Sequence, residues 1–198
     1  RSSPTQVGTE TTWSSWSMGY QGSTMAVKTD GTLWTWGKGG TGQLGHNDRA
    51  NRSSPMQVPG SWAAADGSKI ATGLFTGVIN TSGELFTMGY NTNGELGQND
   101  RNRRSSPTQV GTNTTWKSFE IGDKTGGGLK TNGTLWSWGE NTYGQLGRND
   151  RTHRSSPTQI PGTTWSQFSY GQDSGIAIKT DGSLWSWGRN TDGALGQN

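Results

Sequence analysis

Apolar residues in this chain come in short bursts, separated by runs rich in Gly, Ser, Thr, Asn and Asp. No burst keeps a helical spacing, and several alternate with polar residues, which is the period of a half-buried strand. In the first unit the pattern predicts strands at Trp13–Gly19, Thr24–Thr29 and Leu33–Trp36. Asp30-Gly31 predicts a tight two-residue hairpin between the last two, because both central positions of that turn favour positive φ. Trp34 and Trp36 are two apart and so share a face. Ser2–Val7, with Pro4 near its start, reads as an edge strand, since proline lacks the donor for one ladder bond.

This pattern repeats. Leu-Trp-x-Trp-Gly ends at Gly37, Gly139 and Gly188, with an altered copy ending at Gly89. Arg-Ser-Ser-Pro begins at Arg1, Arg52, Arg104 and Arg154. Two markers keeping step at a period of roughly 50 residues indicate a propeller blade or a large array unit. The units run 1–51, 52–103, 104–153 and 154–198, within one propeller domain or propeller segment. The second diverges: Trp62 sits further from its hairpin, implying an insertion around Ala63–Ser68, and the Trp pair becomes Phe86 and Met88. Four short strands per unit predict an all-β propeller of four-stranded blades. The last unit lacks a Ser-Ser-Pro strand and the first carries a spare one. Ser2–Val7 could therefore complete the last blade and close a four-bladed ring, or the four units could be part of a larger ring.

Composition alone points the other way. Only 26% of the 198 residues are hydrophobic and the mean hydropathy is −0.85, values that suggest disorder. Eleven Trp residues at fixed places, with 33 Gly, restore the case for a packed core of strands and tight turns, because each large aromatic carries much burial. The absence of Cys excludes disulfides and thiolate metal sites. No apolar run approaches the length of a membrane-spanning helix, and no signal peptide is visible. The chain opens on Arg1 inside a repeat marker, which reads as a processed, excised or partial sequence.

The Trp-x5-Gly element, followed by x-Ala-x-Lys-x-Asp-Gly-x-Leu-Trp-x-Trp-Gly-x-Asn-x-x-Gly-x-Leu-Gly, resembles the regulator of chromosome condensation repeat. It is carried here by Trp165, Gly171, Ala177, Lys179, Asp181, Gly182, Leu184, Trp185, Trp187, Gly188, Asn190, Gly193, Leu195 and Gly196. The resemblance covers essentially the whole chain. It implies a β-propeller, usually of seven blades, where this chain supplies four repeats. The His-Thr pair frequent in the family is replaced by Ser23-Thr24, Thr125-Gly126 and Ser174-Gly175. The family's eukaryotic founder exchanges nucleotide on a small nuclear GTPase and touches chromatin. Other relatives are secreted bacterial binders, including a β-lactamase inhibitor, and repeat-rich phage particle proteins. The Asn-, Thr-, Gly- and Trp-rich, Cys-free style is closer to these.

Candidate chemistry is sparse. His46 and His153 have no orienting acid at a catalytic spacing, so neither a triad nor a metal site is expected. The Asp-Gly turns at 30–31 and 181–182 match the uncharged Ser82-Gly83 and Asn132-Gly133, so they read as hairpins and not calcium loops. Gly37-Lys38-Gly39-Gly40 lacks the strand–loop–helix context of a phosphate loop. The repeated Trp pairs read as blade core. Trp62 and Tyr143 break the repeat or sit in turns, and so are candidate ligand contacts.

The loops after each Leu-Gly hold most of the arginines: Arg49 and Arg52, then Arg101, Arg103 and Arg104, then Arg148, Arg151 and Arg154. Equivalent propeller loops gather on one rim, and arginine forks suit carboxylate and phosphate. These eight are candidate partner-binding residues. Asp48, Asp100 and Asp150 recur beside them, so loop-fixing ion pairs are the competing reading. A formal charge of +3 is too modest to favour nucleic acid. The sequence thus predicts a non-enzymatic extracellular or virion-surface propeller without cofactor. It would bind a protein or glycan surface, further copies of itself or other virion proteins, as a phage fibre or adhesin-like component. The alternative is an intracellular regulator of a small GTPase, of the exchange-factor kind.

Overall fold

A computed structural model describes residues 2–19, 21–62 and 70–197, among which there is no helix. The insertion expected around Ala63–Ser68 lies outside the described residues. The chain forms four antiparallel sheets, one after another. The first blade holds β1 (Trp13–Met18), β2 (Ser23–Lys28), β3 (Leu33–Gly37) and β4 (Arg52–Val58). The second holds β5 (Ile70–Thr72), β6 (Phe75–Ile79), β7 (Leu85–Gly89) and β8 (Arg104–Gln109). The third holds β9 (Trp116–Ile121), β10 (Thr125–Lys130), β11 (Leu135–Gly139) and β12 (Arg154–Gln159). The fourth has three strands, β13 (Trp165–Tyr170), β14 (Ser174–Lys179) and β15 (Leu184–Gly188).

The Arg-Ser-Ser-Pro elements at Arg52, Arg104 and Arg154 are outer strands, as their proline predicts. Each pairs with the Leu-x-x-x-Gly strand of the preceding repeat, with Leu33 opposite Val58 and Trp136 opposite Gln159. The sheets therefore straddle the sequence repeats. Two local expectations are corrected. Asp30 does not take a positive φ; Gly31 alone does, at 79°. The Gly31 amide donates to the Lys28 carbonyl and the Lys28 amide to that of Thr32. This is a type I turn closed by a glycine bulge, a three-residue alternative to the two-residue hairpin. Ser2–Val7 forms no strand and is exposed, so it does not complete the fourth blade: no described strand is paired with it, and it faces water instead.

The core lies between the blades. Phe119 of β9 packs onto Gly77 of β6, where an added Cβ would fall 2.0 Å from its ring. Tyr170 of β13 lies against Gly127 of β10 in the same way, with a Cβ 2.3 Å from the ring. Glycine is needed at both positions because a neighbouring blade's aromatic occupies the side-chain space. The indole N–H of Trp138 donates to the Glu95 carbonyl, and that of Trp187 to the Gln145 carbonyl, both at 2.8 Å. These bonds latch each blade to the turn of the one before. The backbone N–H groups of Trp62, Trp116 and Trp165 donate to the hairpin glycine carbonyls of Gly31, Gly83 and Gly133. Fully burying an indole such as Trp138 removes about 150–250 Å² from water, roughly 4–6 kcal/mol before entropy is counted.

Candidate functional site

In an antiparallel meander the β3–β4, β7–β8 and β11–β12 connections emerge at the end opposite the β2–β3-type hairpins. Each connection begins as a glycine-rich turn and finishes as an arginine loop. Asn91 and Asn141, both fully buried, join the two halves. Asn91 Nδ2 donates to the Asp100 and Asn102 carbonyls while its Oδ1 accepts from the Leu96 amide. Asn141 does the same with Asp150, Thr152 and Leu146. Gly39 replaces the asparagine in the first unit, and its amide donates to Asn51 Oδ1 instead, at 3.0 Å.

Three asparagines in these loops hold positive φ: Asn47 at 60°, Asn99 at 59° and Asn149 at 59°. Asparagine tolerates this region better than other side-chain-bearing residues. The conformation points the Asn47 and Asn99 amides at the Ser105 and Ser155 carbonyls of the next blade's outer strand, each at 2.7 Å.

The eight loop arginines fall into separate groups. Arg52, Arg104 and Arg154 pair with Asp48, Asp100 and Asp150 at 2.5, 2.5 and 2.8 Å. Each aspartate also accepts the amide two residues on, from Ala50, Asn102 and Thr152. The Ala50 amide and Arg52 hold the Asp48 carboxyl below its ordinary range. Burial works against Asp100, but the Asn102 amide and Arg104 outweigh it, and its carboxyl is also held low. Arg148 donates to the Gln159 carbonyl. The Arg103 guanidinium lies 4.8 Å from the Tyr90 ring centre. Arg49, Arg101 and Arg151 remain, at equivalent loop positions after the first, second and third blades' glycine-rich turns. They are exposed and form no ion pair or ring contact among the described residues.

The other candidates separate as well. Trp62 is 4% exposed, meets Phe86 edge-on at 5.4 Å, and donates to the Val58 carbonyl at 3.3 Å. It is packing of the second blade, not an open platform, because the Phe86 ring and the Val58 carbonyl hold it inward. Tyr143 is 43% exposed, with the Arg189 guanidinium 5.1 Å from its ring centre. His46 Nε2 bonds Thr35 Oγ1 at 2.9 Å, and burial, with Arg52 nearby, lowers its pKa. His153 Nδ1 accepts from the Asn141 amide at 2.8 Å. Both histidines are bound into loop structure.

One feature escaped the sequence reading. Lys28, Lys130 and Lys179 each lie between two indoles, 3.9–4.0 Å from the rings of Trp34, Trp136 and Trp185 and 4.9–5.0 Å from those of Trp13, Trp116 and Trp165. Burial lowers the Lys130 pKa, so the stack acts as blade packing. Its signal was available: a lysine two residues before each Asp-Gly or Asn-Gly turn, except at Asn80. The chemistry of the rim suits an anionic group, since its aspartates are committed to their own loops while Arg49, Arg101 and Arg151 stay in water.

The regulator of chromosome condensation (RCC1) repeat matches residues 30–71, 82–125 and 132–178, and a second form of it matches 116–145 and 165–194. The chain is 33% identical over 98 residues to the probable E3 ubiquitin-protein ligase HERC4 of Rattus norvegicus, covering 48% of this chain and 9% of that protein. It is 30% identical over 77 residues to the RCC2 homolog of Danio rerio, covering 39% of this chain and 16% of that protein. Among solved structures, Prp20p of Saccharomyces cerevisiae superposes with a TM-score of 0.78 at 22% identity, over 92% of this chain and 46% of that one. Human WBSCR16 gives 0.75 at 19% identity, over 87% of this chain and 46% of that one. The chain thus spans under half the length of these folds and a small fraction of the curated relatives. The β-propeller architecture expected from the repeats is confirmed.

These likenesses overturn the expectation of a virion-surface or adhesin-like component. The curated relatives are named as a probable E3 ubiquitin-protein ligase and an RCC2 homolog, Prp20p was studied for its binding to Gsp1p and histones, and none of these points to a particle component. The extracellular or virion placement falls with it, since the curated relatives that the chain matches are eukaryotic proteins, one of them a probable ubiquitin ligase, and neither is named as a secreted or particle protein. Phage-like composition misled because it reflects the economy of turn-rich repeats and not a location. With its repeats matched over most of its length, the chain belongs to the regulator of chromosome condensation repeat family.

Proposed function

We propose that this chain is the protein-binding part of an intracellular, non-enzymatic regulator that acts on a small GTPase in the manner of an exchange factor. The observation that carries this is the match of RCC1 repeats across the chain, supported by the superposition on Prp20p, a protein that binds Gsp1p and histones. Exposed Arg49, Arg101 and Arg151 supply the anion-seeking side of the contact, and Tyr143 at the turn surface adds an aromatic one. Steering by such cations falls with ionic strength.

The test is nucleotide release. Small GTPases loaded with a fluorescent GDP analogue are mixed with the chain, and the rate of signal loss is followed. Acceleration that weakens with salt and with the triple change Arg49→Glu, Arg101→Glu, Arg151→Glu is expected. An unchanged release rate across a panel of small GTPases would overturn the exchange reading. Acceleration unaffected by the triple change would move the contact off this rim.

A further inference from the structure

Lys130 is a buried charge that the chain leaves without a counter-ion. It is 8% exposed. Its ammonium lies 4.0 Å from the Trp136 ring centre and 4.9 Å from that of Trp116. It forms no ion pair or hydrogen bond among the described residues. Taking a charge out of water is costly unless it is paired, and burial lowers the Lys130 pKa. Lys130 opens on a groove of about 260 Å³ between the second and third blades. Gln98, Asn99, Asn113, Trp136 and Ser156 line it too, and among the described residues no acid does. Both blades have their four strands, so the groove is walled on each side by a finished sheet.

The first and second blades answer the same position with a carboxylate of their own. Lys28 lies between the equivalent indoles, and Glu10, in the loop before β1, pairs with it. That loop reads Val7-Gly8-Thr9-Glu10-Thr11-Thr12-Trp13, and the one before β9 reads Val110-Gly111-Thr112-Asn113-Thr114-Thr115-Trp116. The two follow one course. Gly8 and Gly111 hold φ of 67° and 61°, and the Thr12 and Thr115 carbonyls accept from the Thr29 and Thr131 amides, each at 2.9 Å. Asn113 thus stands in the place of Glu10, a neutral amide for a carboxylate. In the second blade the lysine is replaced by Asn80, whose Nδ2 donates to Glu84 Oε2 at 2.6 Å. Thr134 occupies the place of Glu84 in the third blade, and its hydroxyl is engaged with Asn132 and Trp136. The third blade therefore keeps the cation and lacks both carboxylates.

We infer that the Lys130 groove is a receptor for a glutamate side chain on an extended segment of a partner protein. The incoming carboxylate meets the Lys130 ammonium as Glu10 meets Lys28, in a charge-assisted contact. Asn113 offers it an amide and not a competing charge. The groove is smaller than the roughly 300–1,000 Å³ of small-molecule pockets, which suits one side chain and not a whole ligand. A lone ammonium between two indole faces matches the single charge of a carboxylate better than the double charge of a phosphate. The contact needs no GTPase and does not depend on the exposed arginines.

Nuclear magnetic resonance of the whole chain tests this. The probes are the blocked peptides acetyl-Thr-Glu-Thr-amide, which copies the surroundings of Glu10, and acetyl-Thr-Gln-Thr-amide, with inorganic phosphate as the third. The glutamate peptide is expected to shift the Trp116 and Trp136 indole N–H signals and the Lys130 Cε signal saturably, at about millimolar concentration. The glutamine peptide should not. Lys130→Met keeps an unbranched stem between the indoles, and should weaken binding about tenfold or more; circular dichroism checks its fold. Asn113→Glu, at an exposed position, gives the third blade a carboxylate of its own. It should raise the melting temperature and abolish the response to the peptide, and it decides the matter if Lys130→Met does not fold. An absence of saturable shifts overturns the proposal, as do equal shifts from the glutamine peptide. Binding undiminished in folded Lys130→Met or in Asn113→Glu, or phosphate bound more tightly than the glutamate peptide, overturns it too. No GTPase enters the assay, so its outcome is separate from that of nucleotide release.

Discussion

Strands β11 and β15 have the same five residues, Leu-Trp-Ser-Trp-Gly. In the third blade Leu135 is fully buried; in the fourth its twin Leu184 is 64% exposed. Local sequence, strand pairing to the inner neighbour and hairpin are alike in both. What differs is the outer strand and the next blade. A propeller blade finishes its core with residues borrowed from beyond its own repeat, so identical pieces can have very different energetic weight.

The sharpest way to break that comparison is to truncate the twin leucines. Leu135→Ala leaves a cavity under Ile160 and is expected to cost about 2–5 kcal/mol. Leu184→Ala is expected to cost no more than about 0.5 kcal/mol, because that side chain already faces water. Urea denaturation measures both. Equal losses would mean that β15 is covered in solution. The second contrast lies in the latching indoles. Trp138→Phe loses the bond to the Glu95 carbonyl inside a fully buried site, with an expected loss of about 1–3 kcal/mol. Trp187→Phe, losing the half-buried equivalent on Gln145, should lose less.

A third contrast lies beneath those two indoles, where the third blade rests on Glu95 and the fourth on Gln145. Glu95 is fully buried. Its Oε2 accepts from the Asn93 amide at 2.8 Å while its Oε1 has no partner. Burial, opposed by local amides, raises its pKa. The folded state therefore holds the proton more tightly than the unfolded state does. Stability is undiminished below the ordinary glutamate range and declines as pH rises through that range to the raised folded value. Gln145 does the same job without a titrating group, its Oε1 accepting from the Tyr143 amide at 2.8 Å. Glu95→Gln should raise the melting temperature at neutral pH and leave it nearly unchanged in acid. A melting temperature that falls at neutral pH would show that the carboxylate has a use here.

Period and alternation made most of this fold legible. The first-unit strands lie within about a residue of their expected bounds, because strand ends are set by turn chemistry that Gly and Asp announce. The hairpin type was misread because Asp-Gly suits both a two-residue turn and the last two places of a three-residue one; the register of Val27 against Leu33 decides it. Ser2–Val7 has the sequence of an outer strand but no ladder, and pairing is a non-local property. At the rim, the arginines were legible as a group but not as individuals. Their spacing did hold the answer: the arginine four residues after each aspartate closes its loop, and the one directly after it does not. Function was the least legible, because repeats that build the same propeller occur in proteins of unrelated roles.

The smallest contrast concerns those loop clamps. Asp100→Asn removes the charge facing Arg104 but keeps an oxygen for the Asn102 amide, so the loop should hold its path. The pair is about one-third exposed on both sides, where solvent screens it, and the expected loss at neutral pH is only about 0.2–1 kcal/mol. Its pH dependence runs opposite to that of Glu95. The Asp100 carboxyl is held low when folded, so its contribution is present above the ordinary aspartate range and disappears as pH falls through the lowered folded value. Thermal melts of the two proteins should therefore differ slightly at neutral pH and converge in strong acid. If Asp100→Asn instead leaves stability unchanged but alters the salt dependence of the proposed GTPase contact, then Arg104 is available to a partner. The clamped arginines would then belong with Arg49, Arg101 and Arg151 on the binding face.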